Sequence, residues 1–139
     1  MKKIILSVLA LVLMAGLFPT AAMAYYIVAR ISLATDTPQA QAVVRNADIA
    51  AVKIKFTGSR SDYVISKIVI KRGGVAEDAD ISAVRLYDGI TPIGLSERLD
   101  ANHKANFSGL NWIIPAEATK YLTVRVIVAG MATAGDAFQ

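Results

Sequence analysis

A chain of 139 residues with 55% hydrophobic content, a formal net charge of +4 and no cysteine is excluded from several classes at once. It has no disulfide framework, no thiol nucleophile and no thiolate ligands for the usual structural zinc sites. Its charge is modest, and much of its hydropathy sits at one end.

That end reads as a leader. Lys2 and Lys3 form a positive start, residues 4–18 an uncharged apolar run of 15, and residues 19–24 a small-residue tail closing on Ala22-Met23-Ala24, the pattern that signal peptidase cuts. Cleavage after Ala24 is predicted, giving a signal peptide helix over 1–24, a secreted mature chain over 25–139, and no membrane association thereafter. An uncleaved anchor is disfavoured, because the run falls short of the roughly 20 residues that a spanning helix requires. Removing Lys2 and Lys3 leaves 13 basic residues against 11 acidic ones, a net charge of +2. The remaining 115 residues suit one domain, which buries about two-thirds of its unfolded surface. Its basic residues alternate along the chain instead of running together, so no nucleic-acid partner is expected.

Residues 25–34, YYIVARISLA, alternate and predict a first strand with Ile27, Ala29, Ile31 and Leu33 on one side. Thr35-Asp36-Thr37-Pro38 is a turn cluster. A short strand is expected over 42–45, then a turn at Asn46-Ala47-Asp48. Residues 49–57 place Ala50, Val52, Ile54 and Phe56 opposite Ala51, Lys53 and Lys55, the pattern of a half-buried strand. GSRSD at 58–62 turns the chain into YVISKIVIKR at 63–72, whose β-branched residues favour strand over helix. An acidic connection, VAEDADIS, leads to AVRLY at 83–87 and then Asp88-Gly89, a short-range hairpin signal. Pro92 and Gly94 interrupt the returning strand at 91–99 and argue for an edge position.

Residues 104–128, KANFSGLNWIIPAEATKYLTVRVIV, carry the strongest pattern. Leu110, Trp112 and Ile114 share one face of the first arm, and Leu122, Val124, Val126 and Val128 share one face of the second. The two arms, joined by a proline-containing turn, predict a central hairpin. After Val128 the sequence AGMATAGDAFQ turns towards a further strand at Ala137-Phe138 and stops. A sheet edge lacking its last strand would expose unpaired backbone groups, so either a longer parent chain or a strand supplied by another subunit is expected. Short alternating strands spaced by turns predict an all-β fold, a two-sheet antiparallel β-sandwich with one dry and one wet face per sheet.

The order of these motifs, GGVAEDADISAVRLYDGITPIG, then NHKANFSGLNWIIPAEATKYLTVRVIVA, then ATAGD, resembles a repeated immunoglobulin-like β-sandwich module of exported bacterial and archaeal surface proteins. The resemblance covers residues 27–136. It implies an architectural role, with other copies or neighbouring modules of a surface protein as partners. Glu117 departs from the family pattern, which usually has glycine there, and this bears on the turn type.

Candidate chemistry is sparse. Asp78 and Asp80, with Glu77 and Asp88 nearby, are the acidic concentration, and alternating carboxylates in a loop are candidate Ca²⁺ ligands, although no EF-hand pattern is present. Tyr63, Tyr87 and Tyr121 each stand opposite their strand's apolar set, which makes them candidate ligand-binding residues for stacking on a polysaccharide. The single histidine, His103, falls in a turn, and the nucleophile-elbow, phosphate-loop and zinc-protease motifs are absent. No catalytic residue and no cofactor is assigned. The expected role is a secreted, non-catalytic structural module of a cell-surface assembly, with a carbohydrate-binding or adhesion module as the alternative.

Overall fold

Strict apolar–polar alternation forces one face of each strand to be covered, and two such sheets facing each other cover both. The computed structural model describes residues 2–4, 29–39, 44–73 and 77–132. Its elements in chain order are β1 (Lys2–Ile4), β2 (Arg30–Leu33), β3 (Asp48–Thr57), β4 (Tyr63–Lys71), a 3-10 turn (Asp78–Asp80), β5 (Ile81–Asp88), β6 (Thr91–Glu97), β7 (Lys104–Ile114) and β8 (Thr119–Val128). One sheet has the order β1-β4-β7 and the other β2-β3-β8-β5-β6. The five-stranded sheet is antiparallel throughout, β4 and β7 pair antiparallel, and β1 joins β4 in parallel. The chain is therefore an all-β, two-sheet sandwich.

The core lies between the sheets. Phe107 and Ile114 from β7 meet Leu86 from β5 and Leu122 and Val124 from β8, all of them almost wholly buried. Each such side chain contributes about 1.5–3 kcal/mol relative to exposure. Phe56 of β3 packs edge-on against Trp112 of β7, with ring centroids 5.0 Å apart and planes at 82°. This aromatic pair bridges the two sheets.

The expected central hairpin is corrected by the structure. β7 pairs with β4 and β8 pairs with β3 and β5, so the connection between them is an arch over the end of the sandwich. Both geometries turn the apolar faces of the two arms towards one core, and alternation alone does not separate them. The arch is stitched to the β3–β4 loop: the Gly58 N–H donates to the Ala118 carbonyl at 2.7 Å, the Glu117 N–H to the Ser59 carbonyl at 2.6 Å, and the Ala116 N–H to Asp62 Oδ1 at 2.8 Å.

One irregularity in pairing resets the faces of both β4 and β7. Between Ile65 and Lys67 the β4–β7 register shifts from Trp112 to Ser108. Along β4 the positions in the core change from Tyr63 and Ile65 to Ile68, Val64 being buried outside that core, and along β7 from Ala105 and Phe107 to Leu110, Trp112 and Ile114. Gly109, at φ +66°, supplies the left-handed conformation that such a bulge uses. The β5–β6 hairpin follows the Asp-Gly signal with an offset of one. Asp88 pairs with Thr91, and Gly89 at φ +61° takes the first central position of the turn, where a type II′ loop wants glycine. β6 lies at the edge of its sheet, as Pro92 implies. Of the strand expected over 42–45, Val44 and Arg45 are described and enter a turn, closed by the Ala47 N–H on the Val44 carbonyl. The signal peptide helix expected over 1–24 is corrected at its start, where Lys2–Ile4 are extended and pair with β4 as β1; residues 5–28, with the rest of the apolar run and the cleavage site, and the expected final strand lie outside the described residues.

Glu117 has φ +58°, the left-handed region that costs a side chain-bearing residue about 1–2 kcal/mol. Glu117→Gly is expected to raise the unfolding free energy by about 0.5–1 kcal/mol. Gly58→Ala is expected to lower it by about 1–3 kcal/mol, because the new Cβ would stand 2.3 Å from the Pro115 carbonyl oxygen. Urea denaturation of both variants checks the pair.

Candidate functional site

The outward side chains of β2, β3, β8 and β5 form the candidate site. Cross-strand partners share a face, so the register places Arg30 beside Thr57, Lys55 beside Tyr121, Lys53 beside Thr123, Thr123 beside Tyr87, and Arg85 beside Arg125. Tyr87 and Tyr121 therefore stand on one face as expected, diagonal to each other across β5 and β8. Tyr121 is 39% exposed, and the Lys53 ammonium sits 5.0 Å from its ring centroid, within cation–π range.

Tyr63 does not belong to this face. It is buried in the core, and its hydroxyl hydrogen-bonds Ser59 Oγ at 2.8 Å. Reading its orientation back from Ile68 and Ile70 assumes an unbroken period of two, and the irregularity between Ile65 and Lys67 inverts it.

The cations on this face come from four strands and gather by register. Arg30, Lys53, Lys55, Arg85 and Arg125 face out, against two carboxylates, Asp36 and Asp48. Lys53 pairs with Asp36. Asp48 takes the Arg125 Nε–H at 2.7 Å, its carbonyl takes the Arg125 Nη2–H at 2.8 Å, and its second carboxylate oxygen is 3.8 Å from Arg85 Nη1. One carboxylate thus serves two guanidinium groups that are direct cross-strand neighbours. Alternating spacing along each strand, taken alone, had suggested dispersed charge; only pairing register brings these residues together, and the outward basic positions on successive strands were the signal available in the sequence.

A second cluster lies at the sandwich rim. The Trp112 Nε1–H donates to Asp88 Oδ2 at 2.9 Å, and Lys120 Nζ donates to the same oxygen at 2.6 Å. Partial burial works against ionisation of Asp88 and is the largest single influence, but the Lys120 and Trp112 hydrogen bonds and the Lys120 charge together outweigh it and lower its pKa. Beside this cluster a groove of about 530 Å³ runs along the seam of β6 and β7, lined by Ile93, Leu95, Phe107, Leu110 and Trp112 among others.

The acidic loop has other work. Asp78 pairs with Arg72, and with His103 Nδ1 at 2.6 Å. The His103 hydrogen bond leads in lowering its pKa, burial opposes it, and Arg72 adds to it. Asp80 is buried and closes a reciprocal cap, its carboxylate accepting the Glu77 N–H at 3.0 Å. The two carboxylates expected to share an ion thus serve a surface ion cluster and a turn. Among the described residues no group of three or more His, Cys, Asp or Glu side chains could hold a metal, and no helix is long and apolar enough to cross a membrane. His103 is half exposed, and its ring meets Asp78 and Arg72.

Comparison with protein-family models, with curated proteins and with solved structures finds no match to this chain.

A carboxylate whose folded pKa is lowered gains its stabilising interaction only when ionised, so the unfolded chain binds protons more readily and stability rises with pH. The contribution of Asp88 is complete above the ordinary value of 3.8 and is lost as pH falls through the lowered value beneath it. Thermal melts are expected to show a midpoint that drops below about pH 4. Asp88→Asn is expected to melt lower at neutral pH and to lose part of that acid dependence.

Proposed function

We propose that this chain is a secreted, non-catalytic structural module of a cell-surface or extracellular assembly, an immunoglobulin-like sandwich that joins its neighbours along a sheet edge. The observation that carries the reading is the outer edge of β4. Only Tyr63, Val64 and Ile65 pair with β1 there, so over residues 67–71 that edge has no strand partner among the described residues. An open edge of this kind is a template for an added strand. Export rests on the positive start, the apolar run and Ala22-Met23-Ala24. In this reading, cleavage after Ala24 removes β1 with the leader and opens the whole of β4 to another copy or a neighbouring module. Lys67 and Lys71 guard the edge against indiscriminate pairing.

Light scattering tests this on the full chain and on residues 25–139. The shorter form is expected to associate and the full chain to remain smaller. Val69→Lys, which adds a third lysine to the row of Lys67 and Lys71, is expected to return the shorter form to monomer without unfolding it. A monomer at all concentrations in both forms would remove the edge reading.

A second reading, a carbohydrate-binding or adhesion module, is favoured by the placement of Tyr87 and Tyr121 on one solvent-facing sheet surface. Retention on insoluble polysaccharide that is lost in Tyr121→Ala is its test.

A further inference from the structure

The geometry points to an acidic polysaccharide, a chain of carboxylated sugars, as the ligand of the outer face of the five-stranded sheet. This inference deepens the carbohydrate-binding reading and rests on it for the choice of a glycan; it is independent of how β4 is completed.

Three features of the face lead to that chemistry. First, Arg85 and Arg125 are direct cross-strand neighbours, an arrangement that repulsion disfavours. Asp48 accepts two hydrogen bonds from Arg125 and leaves Arg85 at 3.8 Å. The Arg85 guanidinium makes no hydrogen bond among the described residues and is 42% exposed. A planar carboxylate is the group that a guanidinium fork receives in a bidentate fashion. Second, Lys55, in register with Tyr121, has no ion-pair partner among the described residues, so a second anionic group along a polymer would meet an unneutralised ammonium. Third, Lys53 shields the Tyr121 ring on one side, which favours contact through the hydroxyl edge over the stacking that a nucleobase or a neutral sugar ring would seek. With five cations against two carboxylates, the face carries a net charge of +3, more than the +2 of residues 25–139 as a whole. The charge complement of the face is a linear polyanion, and the hydroxyls of Tyr121, Thr123 and Tyr87, which share the face, suit the hydroxyl groups of a sugar chain.

Affinity electrophoresis of the full chain tests the proposal, in gels containing polygalacturonate, neutral dextran or oligothymidine. Polygalacturonate is expected to retard the protein in a salt-sensitive way, and dextran is not. Arg85→Gln is expected to weaken retardation about tenfold, the loss of one charge-assisted bidentate contact, and Lys55→Gln several-fold. Lys104→Gln, which removes the same charge from the other sheet, is expected to change nothing, and thermal melts establish that the variants are folded. Absence of retardation by polygalacturonate overturns the proposal. So does an equal loss in Lys104→Gln, which would mean bulk charge. Equal retardation by oligothymidine with the same response to Arg85→Gln also overturns it, in favour of a general polyanion surface. Retention by dextran that depends on Tyr121 and not on Arg85 would sink the acidic ligand while leaving the carbohydrate-binding reading intact.

Discussion

The closure of one sheet onto the other through Phe56 and Trp112 is the constraint on which the remaining features depend. An edge-to-face aromatic pair is worth about 0.5–1.5 kcal/mol beyond the area it buries, and here it ties β3 to β7 across the layer. It also creates an obligation, since an indole N–H taken out of water must find an acceptor. Trp112 finds it in Asp88, at the last position of β5, and Asp88 in turn holds Lys120 at the start of β8. A polar chain at the rim thus follows from an apolar choice in the core. The cluster is structural in origin even though it borders the groove between β6 and β7.

The strands and most of the core were legible in the sequence, because alternation is a direct record of burial wherever a strand is regular. The bounds of β3 and β4, each to within one residue, and the inward set Leu122, Val124, Val126 and Val128 follow from it. Pro92 betrayed the edge strand through its missing N–H. Sheet membership was hidden: β7 and β8 look the same whether they pair with each other or face each other, since both arrangements bury the same residues. The orientation of Tyr63 was lost because an irregularity leaves no residue type that demands it in β4; Gly109, opposite, is its one visible trace. The basic face was invisible for a related reason. Arg85 and Arg125 stand forty positions apart in the sequence, and only the register of β5 on β8 makes them neighbours.

The two sheets present different problems to a partner. The three-stranded sheet offers backbone groups along β4, where recognition is by hydrogen-bond geometry and tolerates many side chains. The five-stranded sheet offers side chains over a backbone whose own bonds are already made, so recognition there is by charge and shape. Removing the five outward cations and their two carboxylates from the net of +2 over residues 25–139 leaves the remainder at −1. The domain is therefore electrically lopsided, and long-range attraction to a polyanion would turn its five-stranded face forward before contact.

The paired irregularities at Ile65/Lys67 and Ser108/Trp112 reach beyond this one chain. Each is a phase slip in the inside–outside code, so along β4 the core-facing positions pass from odd to even part-way along the strand, and along β7 they pass the same way. A substitution profile of a descendant would keep both slips, at matching places on adjacent strands, long after individual residues had diverged. Such slips are legible in periodicity instead of in residue identity.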